Sequence, residues 1–254
     1  MQGCFGEWYY DEGFFPCPRD EMTLTYAIIA NGGIVLTADS QLTFTHRLPQ
    51  YPGAPIIATY ENTRHKIRRL RNGSAFSVAG NNGLIDTLLA KADAEPIDDS
   101  KSFNEVVLAY SQFFRDEYAS THGNIDLHMR QHAEFLFCGY SGKAIPQIVK
   151  LASSRDFFYD AVAAGEGYGL TGDKEHGGVL YLHHRFYRGA MPLDTAKLLA
   201  YCILAEVADS STSIGPPIEM VVITKSGAAP ILDFSGYEEK RQELIGKVKM
   251  FLGA

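Results

Sequence analysis

The sequence predicts an α+β protein in which two antiparallel β-sheets are stacked and helices cover both outer faces, a four-layer αββα sandwich. Asn31-Gly32 and Asn72-Gly73 each separate two short strand-like segments, and Asn-Gly is a favoured dipeptide of two-residue hairpin turns. After these hairpins, further strand patterns alternate along the chain with helix patterns. Such an order favours stacked sheets with helices on each outer face.

The first half of the chain carries these two hairpins and then two helices. Residues 22–40 form the first hairpin and residues 66–79 the second, with a polar, proline-bearing insertion over 41–62 between them. Apolar residues recur at helical spacing from Leu84 until Glu95-Pro96 ends the pattern. Ser102-Phe103-Asn104-Glu105 is a capping box that opens a second helix.

The second half is predicted to contain five strands and three helices. The strands are Ala133–Gly139, Ile145–Leu151, Phe158–Ala164, Ile218–Thr224 and Ala229–Phe234. The helices are a stretch carrying Val179 to His183, one from Pro192 to near Asp209, and Tyr237–Leu252. No linker-like segment divides the chain, so residues 23–254 are predicted to form one domain.

Composition and charge narrow the function classes. The 254 residues carry a formal charge of −7, which argues against nucleic acid or an anionic membrane as the main partner. The longest apolar runs are only strand-length, which predicts no membrane span. The four cysteines show no paired spacing, which favours a reducing, cytoplasmic setting.

Residues 1–22 stand apart from the rest of the sequence. They lack the pattern of a signal peptide and carry six aromatic residues, Phe5, Trp8, Tyr9, Tyr10, Phe14 and Phe15. We interpret them as a leader or propeptide, or as a misassigned start with Met22 the true initiator. The alternative is an ordered arm whose aromatic residues pack on a neighbour.

Thr23 follows a methionine, which is normally trimmed from a nascent chain when the next residue is small. Once Met22 is removed, Thr23 carries a hydroxyl and a free amine on one carbon skeleton. Such a residue is a nucleophile with a built-in base.

Several segments, taken in order, resemble one known family. Residues 23–39 resemble the start of a mature proteasome β subunit, Lys66-Ile67 its lysine strand, and Ser77-Val78-Ala79-Gly80 its glycine turn. Residues 191–196, 208–211 and 218–224 resemble its C-terminal half. The sequence is therefore similar to the proteasome branch of the N-terminal-nucleophile (Ntn) hydrolases, which includes proteasome-like peptidases of bacteria and has an αββα sandwich.

The resemblance implies a role for each matched residue. Thr23 is the nucleophile, and its amine, with an ordinary pKa of about 7.7–8.0, is the base. Lys66 matches the cation that lowers the pKa of this amine, and Asp39 matches the carboxylate that holds the lysine. Gly80 offers its N–H to the developing oxyanion.

Four further residues come from the same resemblance. Asp209 and one hydroxyl, Thr212 or Ser213, match the pair that orients the threonine amine, and Val78 matches a residue of the substrate side-chain pocket. Simpler interpretations stay open for the central residues: Asp39 as a turn residue, Lys66 as a solvated lysine in a basic run, and Gly80 as a tight-turn glycine.

The sequence departs from the family pattern in three places. Met22 stands where self-processing members have glycine, and Glu166 stands where the family has a serine between two glycines. The insertion between Asp39 and Lys66 is also longer than usual. Methionine at position 22 argues against self-processing after that residue. A carboxylate at position 166 would tend to raise the pKa of the threonine amine, and the longer insertion weakens the match of Lys66 to the family's lysine.

Two other motifs predict no site of their own. Residues 167–172 spell the dinucleotide fingerprint GxGxxG but lack a βαβ context. His128 and His132 are four residues apart, with no carboxylate at motif spacing to complete a metal site. We therefore predict neither cofactor nor metal.

The resemblance implies a threonine-type endopeptidase that acts on peptides or unfolded proteins as a homo-oligomeric ring or spiral, with an ATP-dependent unfoldase as a possible partner. Two alternatives remain. One is a non-catalytic structural subunit of such an assembly, in which residues 1–22 stay attached. The other is an amidase or transpeptidase with a specific substrate.

Overall fold

A computed structural model of the protein describes eight stretches of the chain, which contain all the elements named below. They are residues 23–46, 57–61, 65–126, 130–142, 144–162, 167–172, 177–211 and 214–252. The predicted leader, residues 1–22, lies outside these stretches.

The strands of the described chain form two five-stranded antiparallel sheets and one separate pair. The first sheet has the order β10 (Tyr168–Gly172), β1 (Leu24–Ala30), β2 (Gly33–Asp39), β11 (Ile218–Thr224), β12 (Gly227–Ile231). The second has the order β5 (Ile67–Arg69), β6 (Ala75–Gly80), β7 (Ala133–Tyr140), β8 (Pro146–Ala152), β9 (Asp160–Ala161). The pair is β3 (Leu42–His46) with β4 (Ile57–Glu61).

Helices cover the outer face of each sheet. The helices are α1 (Asn82–Ala94), α2 (Phe103–His122), α3 (Gly177–Phe186), α4 (Leu193–Ser210) and α5 (Ser235–Leu252). One apolar core joins α1 and α2 to the second sheet, and another joins α3 and α4 to the first sheet. A third core lies between the sheets. The predicted four-layer αββα sandwich is therefore confirmed.

The hairpin β1–β2 shows how the sequence produces this arrangement. Gly32 has φ +93° in the turn, a conformation that glycine adopts without strain. Alternate residues of β1 enter different cores: Tyr26 and Ile28 face the helices, and Ala27 faces the second sheet. Because both faces of the strand are buried, its sequence is an almost continuous apolar run.

The structure differs from the sequence prediction around the glycine-rich stretch. Of the described residues in the strand predicted over Phe158–Ala164, only Asp160–Ala161 form a strand, β9, and Gly169 and Gly172 of the glycine-rich stretch lie in β10. Small residues are needed there because a Cβ at Gly169 would lie 2.6 Å from Ile148. The insertion over 41–62 also contains strands, β3 and β4, where the sequence predicts only an irregular segment.

Within the described stretches, no helix has both the length and the apolar character required to cross a membrane.

Candidate active site

Three of the predicted site residues lie at the ends of strands from both sheets. Thr23 directly precedes β1, Asp39 is the last residue of β2, and Lys66 directly precedes β5. The hairpin β1–β2 pairs Thr25 with Ala38, so its open end brings Thr23 and Asp39 side by side. Lys66 reaches them from the second sheet.

The Lys66 ammonium joins the three residues. Its Nζ donates hydrogen bonds to Thr23 Oγ1 at 3.1 Å, to Asp39 Oδ1 at 3.0 Å and to the Gln41 carbonyl oxygen at 2.7 Å. An ammonium group has three N–H donors, so Nζ can donate to each of these three oxygens. Asp39 Oδ1 also accepts the Leu24 N–H at 2.9 Å, which fixes the carboxylate next to Thr23.

The ion pair is buried, and this decides its electrostatics. The side chains of Lys66 and Asp39 are each 1% exposed. Burial raises the pKa of Asp39 above its ordinary value, although the nearby Lys66 cation and the Leu24 N–H act in the opposite direction. With little water to screen it, the Lys66 charge acts strongly on the Thr23 hydroxyl. A cation at hydrogen-bond distance from a hydroxyl stabilises negative charge on its oxygen.

Gly80 ends β6, the strand next to β5, and requires glycine. Its φ is +113°, and a Cβ there would lie 2.4 Å from the His132 carbonyl oxygen. The end of β6 lies near Thr23, because a Cβ added at Gly172 would lie 1.7 Å from the Thr23 carbonyl oxygen and 3.4 Å from the Ala79 Cβ. The role of the Gly80 N–H as an oxyanion donor stays a prediction.

Asp209 has another partner in the structure, and its predicted role beside the Thr23 amine stays a prediction. Asp209 lies at the end of α4, its side chain is 66% exposed, and its Oδ2 accepts a hydrogen bond from Arg241 of α5. Between these two described residues, Asp209 and Thr23, there is no hydrogen bond. Thr212 and Ser213 lie outside the described residues, as does Glu166, and their roles stay predictions.

Val78 lies on the side of β6 that faces the helices. It is 4% exposed and belongs to the core formed with α1 and α2. The structure thus places it against helix residues rather than beside the Lys66 ammonium, and its part in a substrate pocket stays a prediction.

Sequence reasoning missed a second ion cluster next to the site, centred on the buried Glu134. Glu134 Oε1 accepts from Lys150 Nζ at 2.7 Å and contacts His132 Nε2 at 3.2 Å, while Oε2 accepts the Gly172 N–H at 2.9 Å. Burial opposes the charged form, but these donors together hold the pKa of Glu134 well below its usual range. The signal in the sequence was a lone glutamate in the apolar segment of β7.

No group of three or more His, Cys, Asp or Glu side chains in the described chain is placed to hold a metal ion. Of the two histidines considered above, His132 contacts Glu134, and His128 lies outside the described residues.

The fold and the site define a class before any comparison is made: an αββα sandwich in which a threonine, a lysine and an aspartate meet at one end of the two sheets. Neither the protein-family models nor the curated proteins compared with the chain give a match. Solved structures do resemble it, and they share a proteasome-like fold.

Three of these solved structures are Anbu (ancestral beta-subunit) proteins. The one from Yersinia bercovieri has a TM-score of 0.69 and 15% identity over 91% of this chain and 98% of that chain. A Gly-1 mutant from Hyphomicrobium sp. strain MC1 has a TM-score of 0.69 and 14% identity over 91% and 98%. The Pseudomonas aeruginosa protein, described as a helical assembly of the Anbu complex, has a TM-score of 0.70 and 15% identity over 91% and 96%.

These comparisons correct the family suggested by the sequence. The similar structures are Anbu proteins, a family distinct from the proteasome β subunits and bacterial proteasome-like peptidases that the motifs suggest. The assignment to that branch is therefore wrong. At 14–15% identity the likeness concerns the fold alone and carries no statement about an N-terminal nucleophile.

Proposed function

We propose that the protein is a subunit of a proteasome-like homo-oligomeric assembly and that it hydrolyses amide bonds with Thr23 once residues 1–22 are absent. The observation that carries the chemistry is the Lys66 ammonium, 3.1 Å from Thr23 Oγ1 and 3.0 Å from Asp39 Oδ1. The proposed assembly is supported by the fold shared with Anbu proteins, one of which is described as a helical assembly.

The proposed reaction uses both functional groups of Thr23. Its Oγ1 attacks the carbonyl carbon of an amide, and its free amine takes the hydroxyl proton. Lys66 stabilises the oxygen as it loses the proton and disfavours a second positive charge on the amine. The amine then protonates the leaving nitrogen, and water cleaves the resulting ester so that Thr23 is restored. Peptides or unfolded proteins are the proposed substrates.

One feature favours a second candidate, a non-catalytic structural subunit. In the full chain the Thr23 nitrogen is part of the peptide bond to Met22, and an amide nitrogen is no base. As long as residues 1–22 remain attached, the built-in base does not exist. A third candidate, an amidase or transpeptidase with a specific substrate, would use the same groups on a narrower set of amides.

Intact mass and activity separate the candidates. Two chains are produced, one starting at Met1 and one at Met22, and each is weighed and assayed with fluorogenic peptides of varied sequence. We expect turnover only in protein whose mass shows Thr23 at its N-terminus. Turnover of many peptides supports a peptidase, and turnover of one or a few supports the specific amidase.

Thr23→Ala and Thr23→Ser are the matched controls. Thr23→Ala should abolish turnover while assembly, followed by sedimentation, is retained, and Thr23→Ser should keep the nucleophilic oxygen and much of the rate. Full activity of Thr23→Ala would refute the proposed chemistry. A chain that begins at Thr23, assembles and cleaves no peptide would favour the structural subunit.

A further inference from the structure

The strand that carries Lys66 to the site is itself short. β5 has only three residues, Ile67–Arg69, and pairs with β6 along one side. Lys66 stands just before it and also connects to β6, where the Val78 N–H donates to the Lys66 carbonyl oxygen at 3.1 Å. A three-residue edge strand is a weak anchor for a side chain that must be placed within a fraction of an ångström.

A carboxylate from the opposite sheet holds this strand. Glu219 lies on β11, and its Oε2 accepts the backbone N–H of Lys66 at 2.9 Å and that of Ile67 at 3.1 Å. Its Oε1 contacts Nδ1 of His65. The Glu219 side chain is 17% exposed, whereas that of His65 is 93% exposed. One carboxylate of the first sheet thus contacts three successive residues at the start of β5.

We propose that Glu219 is a positioning residue for the amide hydrolysis, holding the Lys66 backbone so that Nζ stays between Thr23 and Asp39. This inference rests on the proposed function, since it assigns Glu219 a role only through Lys66. It goes beyond the sequence prediction, which gives Glu219 no role.

The chemistry of the contact supports this role over simple surface charge. One Glu219 oxygen accepts two backbone N–H groups, so the contact fixes the main chain rather than a flexible side chain. Apart from Glu219 and the terminal Thr224, β11 is apolar, Ile-Glu-Met-Val-Val-Ile-Thr. A lone carboxylate within such a strand is costly unless its oxygens are satisfied.

The Lys66 side chain is flexible, so both its ammonium group and its backbone must be held in place. A lysine side chain has four methylene groups and can adopt many conformations. Oxygens that bind the ammonium group and a backbone held in place are therefore both needed to define one conformation. Displacement of a catalytic group by about 1 Å can cost about 100-fold in rate. We therefore expect loss of the Glu219 contact to reduce the rate without disturbing substrate binding.

The test compares two variants of Glu219, one that changes the length of the side chain and one that removes its charge. Glu219→Gln keeps an acceptor oxygen at the same distance, and Glu219→Asp keeps the charge but is one methylene shorter. The variants are made in the full-length chain, which is then cut at a specific protease site placed before Thr23. His65→Ala, which removes the exposed contact only, is the control.

The expected results are specific to a positioning role. Glu219→Asp should lower kcat about 10- to 100-fold with KM within about twofold, while Glu219→Gln and His65→Ala should stay within about threefold of the wild type. With Lys66 displaced, the pKa of the Thr23 amine rises, so the acidic limb of the kcat/KM profile should move to higher pH in Glu219→Asp. A merely structural role would not move that limb.

Three outcomes overturn the inference while leaving the proposed function intact. They are an unchanged kcat in Glu219→Asp, a loss of rate with an unmoved acidic limb, or a Glu219→Gln variant as impaired as Glu219→Asp. If one variant does not fold, the other is compared with the wild type. The quantity measured is the rate at which a peptide epoxyketone, which reacts with both the hydroxyl and the amine, labels Thr23. Activity retained in Thr23→Ala would instead refute the proposed function and the inference with it.

Discussion

Removing the Lys66 charge without changing much volume, by Lys66→Met, should leave Asp39 as a buried carboxylate with no cation. Both side chains are 1% exposed, so water does not replace the lost partner. Breaking such a pair from one side costs about 3–5 kcal/mol of unfolding free energy. Adding Asp39→Asn removes the stranded charge but keeps an oxygen for the Leu24 N–H. The double variant should therefore be more stable than Lys66→Met by about 1–3 kcal/mol.

The same perturbation has a defined pH dependence. Burial already raises the pKa of Asp39, and Lys66 opposes that rise, so the pKa of Asp39 should rise further in Lys66→Met. A carboxyl whose folded-state pKa exceeds its unfolded value of about 3.9 loses stability as pH rises from that value through the folded pKa. Each pH unit within this window is worth about 1.4 kcal/mol. The penalty of Lys66→Met should thus be larger at about pH 8 than at about pH 5.

Urea unfolding of the wild type, both single variants and the double variant, at both pH values and one protein concentration, measures these quantities. The coupling free energy between residues 39 and 66 is the decisive number. Additive effects of the two substitutions, or a Lys66→Met penalty that does not change with pH, would refute the buried ion pair as described.

Three further outcomes are expected. Gly80→Ala places a Cβ 2.4 Å from a carbonyl oxygen at a residue with φ +113°, so it should lower the unfolding free energy by about 1–3 kcal/mol. The measurement is thermal unfolding, and the control is Gly236→Ala, where an added Cβ has nothing within 4 Å. Asn81→Ala removes the acceptor of the Leu84 N–H at the start of α1 and should cost about 1 kcal/mol in urea unfolding. Glu134, whose pKa is held low, stabilises the fold above its unfolded pKa of about 4.3 and loses that contribution as pH falls. Glu134→Gln should therefore destabilise strongly at pH 7 and less at pH 3, where part of this contribution is already lost, and an equal penalty at both would contradict this account.

The parts of the fold that sequence predicts are those encoded locally. Asn31-Gly32 allows few backbone conformations other than a tight turn, and the capping box from Ser102 to Glu105 marks a helix start wherever it lies. Local sequence does not predict β10, because a glycine-rich segment is typical of a loop rather than of a strand. The glycines of β10 are required by the Ile148 and Thr23 atoms they contact, which only the packed structure brings near.

The candidate site shows the same division. Thr23 and Asp39 are near each other in any hairpin with a two-residue turn, so the sequence predicts their proximity. The approach of Lys66 depends on how the second sheet packs across the insertion, and the partner of Asp209 depends on where α5 lies. Local sequence determines neither the packing of the second sheet nor the position of α5. For Glu219, a single charge in an apolar strand was the available signal, but only the structure identifies what it binds.

The Lys66 ammonium comes from beside the second sheet, whereas its three oxygen partners belong to the first hairpin and the residues just after it, and this has a consequence for newly made chains. A half-formed chain with only its first hairpin has the hydroxyl and the carboxylate but no cation between them. The cluster of Thr23, Asp39 and Lys66 is complete only when the two sheets are packed together. Under the proposed function, a chain whose two sheets have not yet packed together would therefore have no assembled site with which to cleave its neighbours.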